Sequence, residues 1–223
     1  MTAARSLAAR IDHTLLDAMA TAADIERLCG EALEHGFAAV CVNPLWVQRC
    51  AARLSGSAVI VCSVAGFPLG ASLTEIKALE ARRAVEQGAR EVDMVGMLGA
   101  LAGGDHAVFE RDVAAVVAAA APGGVKVILE TTRLSRDHKI AGARIAVAAG
   151  AAFVKTTTGF AGGATVEDVR LLRETVGPGV GVKAAGGIRT RAQALAMIAA
   201  GATRIGTSAG VAIAREAAAT ATG

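Results

Sequence analysis

Apolar residues recur along this chain in two rhythms. Stretches with apolar positions three and four apart, such as Thr21 to His35 and Leu73 to Gln87, predict amphipathic helices. Short apolar runs such as FAAVCV, REVDMV and AAFVK predict strands. The two follow a fixed order: a helix closing at a glycine, a strand, a polar loop, the next helix. Gly36, Gly88, Gly150 and Gly201 each stand between such a helix and such a strand. Glycine suits that place because helices often end on left-handed backbone angles, which cost it no steric clash. Thr21 with Asp24, and Thr165 with Asp168, supply side chains that cap helix starts.

Eight strands are predicted, near Arg10–His13, Phe37–Val42, Ala58–Ser63, Glu91–Val95, Val125–Glu130, Ala152–Lys155, Gly181–Ala184 and Arg204–Thr207. Strands alternating with helices over short loops imply a parallel sheet clad in helices. Eight such units in 223 residues fit a (β/α)8 TIM barrel, an α/β fold, with a short extra helix at the N-terminus. The rival is a doubly wound open sheet. It would usually carry its glycine fingerprint after the first strand, whereas the glycine pairs here come late. No linker divides the chain, so one domain over residues 1–223 is expected.

Composition narrows the function classes. Hydrophobic residues make up 53% of the chain and aromatics 3%, so the core is aliphatic. A net charge of +3 without a long basic run leaves no footprint for nucleic acid. The apolar run near Val113 to Ala121 is too short to span a bilayer, and no membrane partner is expected. Cys29, Cys41, Cys50 and Cys62 show no CxxC spacing. Buried, reduced thiols in a cytoplasmic protein are favoured over a disulfide or zinc framework. The N-terminus lacks the apolar core of a secretory signal.

The candidate chemistry lies at charged positions within the strands. Successive strand side chains point to opposite faces. With the valines directed at the outer helices, Lys126, Lys155, Lys183, Asp93, Glu130 and Asp12 are predicted to point into the barrel. The remaining lysines, Lys77 and Lys139, lie in polar, helix-like stretches and are expected at the surface. A buried ammonium is costly. Lysine, unlike arginine, can respond by giving up its proton and acting as an amine nucleophile. Lys155 closes the strand of FVKTTTGF, at the end where barrel enzymes place their chemistry. A second ammonium nearby favours the neutral amine, and Lys183 is the expected neighbour. The competing explanation is an inert, fully paired ionic plug.

Two glycine loops follow the last two strands: Gly186-Gly187, and Gly206-Thr207-Ser208-Ala209-Gly210. N–H groups at helix starts bind anions, and these loops are the usual phosphate site of barrels. A phosphate-bearing small molecule is the expected ligand.

Together these stretches resemble the deoxyribose-phosphate aldolase family. The marks are DHTLL at Asp12, VCVNP at Cys41, VAGFPLGA ending at Ala71, EVDMV at Asp93, KVILET at Lys126, VKTTTGF at Lys155, VKAAGGIRT at Lys183 and GTSAG at Gly206. The resemblance implies a class I aldolase that reversibly cleaves 2-deoxy-D-ribose 5-phosphate to acetaldehyde and D-glyceraldehyde 3-phosphate, a step of deoxyribose phosphate catabolism. It gives Lys155 the role of Schiff-base nucleophile, Lys183 that of its cationic neighbour and Asp93 that of proton carrier. Asp12, Lys126, Cys41 and Thr158 would support this network. Gly159, Gly186, Gly187, Gly206 and Ser208 would face the phosphate. It implies no cofactor and no metal, and a homodimer. The chain departs from the family at Gly96, in a stretch that commonly reads DMVIN, at Ala102, at Ala209 and in lacking a C-terminal tyrosine. Alternatives are a Schiff-base aldolase for another sugar phosphate, a sugar-phosphate-binding barrel without turnover, and a pyridoxal-phosphate enzyme.

Overall fold

The structure, a computed structural model, describes residues 7–219. Eight parallel strands close into a barrel in chain order. They are β1 (Ile11–Leu15), β2 (Ala39–Val42), β3 (Ile60–Ala65), β4 (Glu91–Val95), β5 (Gly124–Ile128), β6 (Phe153–Lys155), β7 (Gly181–Ala185) and β8 (Arg204–Thr207). The helices between and after them are α1 (Ala22–His35), α2 (Val47–Arg53), α3 (Thr74–Glu86), α4 (Leu98–Ala102), α5 (His106–Ala120), α6 (Arg136–Ala148), α7 (Val166–Val176), α8 (Arg191–Ala199) and α9 (Gly210–Ala219). The extra N-terminal helix falls mostly outside the described residues; Leu7 and Ala8 are helical and buried. The C-terminal end, where the family's tyrosine would stand, also lies outside them.

Local chemistry sets the element ends as the sequence predicts. Thr21 and Asp24 form a capping box at the start of α1, which closes at Gly36 in the left-handed conformation, φ +66°. Thr165 caps α7 through the Asp168 N–H. Alternation along the strands then divides the core in two. Val92, Met94, Val125, Val127, Val154 and Val182 face outward into the large aliphatic layer beneath the helices. Ala39, Cys41, Cys62 and Val64 form a small apolar cluster on the inner face, and the charged side chains fill the rest of the interior.

Two surface expectations are overturned. Lys77 is fully buried between α3 and α5, where Nζ pairs with Asp112 Oδ2 at 2.7 Å and donates to the Val95 carbonyl at 3.2 Å. Asp112 is completed by the Thr74 hydroxyl and the Met97 N–H. The polar stretch around Lys77 conceals that it shares a helix face with Ala81 and Ala84, both buried. Lys139 is half-buried and pairs with Asp168 at 2.6 Å.

Candidate active site

The strand register brings the predicted charges to one level. Asp93 pairs with Lys126 across β4 and β5, and Lys155 with Lys183 across β6 and β7. Lys155 Nζ donates to Asp93 Oδ2 at 2.8 Å, and Lys183 Nζ donates to the same oxygen at 2.6 Å. Lys126 Nζ donates to Asp93 Oδ1 at 3.0 Å and to Cys62 Sγ at 3.3 Å. Asp12 Oδ2 lies 2.5 Å from Lys183 Nζ, an ionic contact without hydrogen-bond geometry. Gly206 leaves room for this arrangement, because a Cβ there would come within 2.9 Å of Lys183 Cε. Cys41 stands beside Cys62 in the register of β2 and β3 and is buried with it.

The electrostatics follow from these contacts. Burial alone would raise the Asp93 pKa, but Lys126, Lys155 and Lys183 outweigh it and hold the carboxyl well below the usual range. Burial likewise opposes the charge on Asp12, yet Lys183, Lys126 and Arg204 lower its pKa to about 2. For Lys183 burial disfavours the ammonium, and Asp12 with Asp93 reverse this and raise its pKa well above the ordinary lysine value. Lys126 is raised in the same way against its own burial, chiefly by Asp93.

Beneath this layer lie two partners that the sequence reading missed. Arg204 Nη1 bonds Asp12 Oδ1 at 2.7 Å and Glu91 Oε2 at 3.0 Å, and Glu91 Oε2 lies 2.5 Å from Lys126 Nζ. The Arg204 guanidinium sits 5.4 Å from the Phe153 ring centroid. Strand alternation carries the signal, since Glu91 lies two residues before Asp93 and Arg204 two before Gly206. Glu130 is the opposite case. β5 ends at Ile128, and Glu130 takes left-handed backbone angles beyond it, where its carboxylate bonds Thr158 and not the lysines of the network.

Above Lys155 opens a cavity of about 430 Å³. Lys155, 3% exposed, forms its floor, and Thr158, Gly159, Gly186, Gly187, Gly206 and Ser208 all line it. Thr14, Asp17, Phe160 and Arg189 complete the wall and rim. The Gly159 N–H is already engaged by Thr157 Oγ1 at 3.2 Å. Gly186 has φ +94°, and a Cβ there would meet Thr157 Oγ1 at 2.5 Å and the Gly162 carbonyl at 2.8 Å, so only glycine lets the two loops close on each other. Gly96 stands away from this cavity: its missing Cβ is the space taken by Phe109, whose Cε2 would lie 2.5 Å from it.

Ligand atoms of Cys41, Cys62 and Asp93 lie within 4.8 Å of one another, a spacing that suits a soft metal. The Lys126 ammonium already bonds two of the three groups. A divalent cation there would stand against Lys126, Lys155 and Lys183, so the donor set fits a metal poorly.

Residues 7–219 match the model of the DeoC/LacD family of aldolases. The chain belongs to that family. It is 57% identical over 204 residues to a deoxyribose-phosphate aldolase of Brevibacillus brevis, covering 91% of this chain and 92% of the relative. It is 56% identical over 210 residues to one of a Geobacillus species, covering 93% and 94%. Among solved structures it matches the tetrameric deoxyribose phosphate aldolase of Aeropyrum pernix with a TM-score of 0.90 at 36% identity, over 96% of this chain and 92% of that one.

Proposed function

We propose that this chain is a class I aldolase that cleaves 2-deoxy-D-ribose 5-phosphate reversibly, with Lys155 as the Schiff-base nucleophile. The observation that carries the reading is a lysine amine at the floor of a glycine-lined cavity, hydrogen-bonded to the carboxylate that it shares with a second lysine. The ionic contacts support it. Lys126, Lys155, Lys183 and Arg204 face Asp12, Glu91 and Asp93. Of these four basic side chains, Lys155 is the one that lines the cavity. Lys155 makes one carboxylate contact, whereas Lys126, Lys183 and Arg204 each make two or more.

The proposed steps are these. The Lys155 amine adds to C1 of the open-chain sugar, and loss of water gives a protonated imine. As the C3 hydroxyl gives up its proton, the C2–C3 bond breaks; its electron pair moves to the imine and leaves an enamine with free glyceraldehyde 3-phosphate. Protonation of the enamine at C2 and hydrolysis release acetaldehyde and restore the amine. Asp93 is held ionised by Lys126, Lys155 and Lys183 against its burial, so it is a proton acceptor in place beside the reacting amine. We assign it the proton transfers, with Lys183 as the adjacent donor and Asp12 and Lys126 holding both in place. Gly186, Gly187 and Ser208 would receive the phosphate at the loop and helix starts across the cavity.

Four free, buried cysteines support a reducing, cytoplasmic setting. A homodimer is the assembly we propose, with the exposed Leu69, Leu73 and Ile76 as apolar surface to cover; light scattering of the purified chain tests it. The catalytic reading is tested by a coupled assay for triose phosphate over a panel of sugar phosphates. It predicts release from the 2-deoxyribose ester and none after Lys155→Leu. Faster cleavage of another sugar phosphate would reassign the substrate. Tight binding without product would make the barrel a receptor.

A further inference from the structure

Glu130 is the only non-glycine residue with positive φ, +46°, among the described residues. The hydrogen bonds on either side explain why. The Leu129 N–H donates to the Lys155 carbonyl, and the Thr131 N–H donates to the Thr156 carbonyl. Two residues of advance on one side are matched by one on the other, so Glu130 is the extra residue of a bulge, a device that re-aims a side chain. Its carboxylate is turned toward the loop after β6. Oε2 accepts the Thr158 hydroxyl at 2.5 Å, and both oxygens accept the Thr158 N–H at 3.3 Å. The Thr158 hydroxyl in turn accepts the Phe160 N–H at 3.1 Å. Glu130 is 4% exposed, and its side-chain hydrogen bonds among the described residues all go to Thr158.

A buried carboxylate on a strained backbone is an expensive fastening for a loop, and such strain clusters where geometry serves function. This loop begins at Lys155, and its Thr158, Gly159 and Phe160 line the cavity. Its middle is tied to the glycine loop opposite: the Thr157 hydroxyl donates to the Ala185 carbonyl at 2.8 Å, and the Ala164 N–H donates to the Gly186 carbonyl at 3.0 Å. We propose that Glu130 is a positioning residue for the phosphate end of the substrate. By fixing Thr158 it sets the wall against which Gly186 and Gly187 close. The inference rests on the sugar-phosphate reading of the same cavity.

The test compares kcat/KM for 2-deoxy-D-ribose 5-phosphate with that for 2-deoxy-D-ribose, in the wild type, Glu130→Gly and Glu130→Gln. Glycine removes the carboxylate and relieves the positive φ, which offsets part of the stability lost with the Thr158 hydrogen bonds, so its melting temperature should change little. The preference for the phosphorylated sugar should fall about tenfold, the scale of losing a hydrogen bond to a charged group. Glutamine keeps one acceptor for Thr158 and should fall between the two. An unchanged preference in Glu130→Gly, or an equal loss on both sugars, overturns the role given to Glu130. A wild type that cannot be trapped on Lys155 by acetaldehyde and borohydride overturns the aldolase reading itself.

Discussion

Replacing Lys183 by methionine isolates the electrostatic logic of the barrel interior. The side chain is fully buried, and its Nζ lies 2.5 Å from Asp12 and 2.6 Å from Asp93. Methionine fills similar volume but leaves two buried carboxylates short of a cation, which costs about 3–5 kcal/mol. For a chain of this length that lowers the melting temperature by roughly 6–20 °C at neutral pH. The loss should depend on pH in a defined direction. Asp12 has a folded pKa of about 2 against an ordinary 3.8, with Lys183 the largest of the cationic contributions. A depressed carboxylate stabilises the fold above its unfolded pKa, and that stability is lost as pH falls toward the folded value. A tenfold change in proton affinity between the unfolded and folded chain is worth about 1.4 kcal/mol, so Asp12 alone accounts for about 2 kcal/mol. Lys183, with a raised pKa, stays charged throughout the acid range and adds no window of its own there. The gap in melting temperature between wild type and Lys183→Met should therefore narrow as pH drops from 4 toward 2, measured by calorimetry or circular dichroism. Turnover of the sugar phosphate should fall at least a hundredfold. A gap that stays constant with pH, or near-normal turnover, would refute the reasoning.

Other perturbations separate packing from chemistry. Gly186→Ala forces a Cβ onto backbone at φ +94° and against the Gly162 carbonyl, so KM for the phosphorylated sugar should rise with a stability loss of about 1–3 kcal/mol, read by kinetics and thermal melts. Lys77→Met strands the buried Asp112 carboxylate and should destabilise the fold by about 3–5 kcal/mol in urea titration, although Lys77 lies outside the cavity lining. Gly96→Ala collides with Phe109 and should cost stability, and pairing it with Phe109→Leu should recover most of the loss in the same melts.

The barrel was legible because its units repeat and its glycines punctuate them. β4 and β8 match their predicted bounds, and the others differ by a residue or two at their ends. The inward charges were legible for the same reason, since alternation with valine leaves few positions to assign. The errors have a common origin in reading charge by its surroundings. Lys77 lies among polar residues, yet its helical face belongs to the core, and its partner Asp112 sits among the apolar residues of the buried face of its own helix. Arg204 and Glu91 open their strands, where a terminal charge ordinarily reaches water, but here Arg204 pairs with both Glu91 and Asp12. Strict alternation groups Glu130 with Lys126, whereas the bulge takes it out of that alternation and its carboxylate bonds Thr158 in place of the lysines.

The most direct measurement is reductive trapping with acetaldehyde and borohydride, followed by peptide mapping of the modified chain. A nucleophilic Lys155 predicts one ethyl group, carried by its Nζ, with Lys126 and Lys183 unmodified. A chain that gains no mass, or carries the label elsewhere, would contradict it.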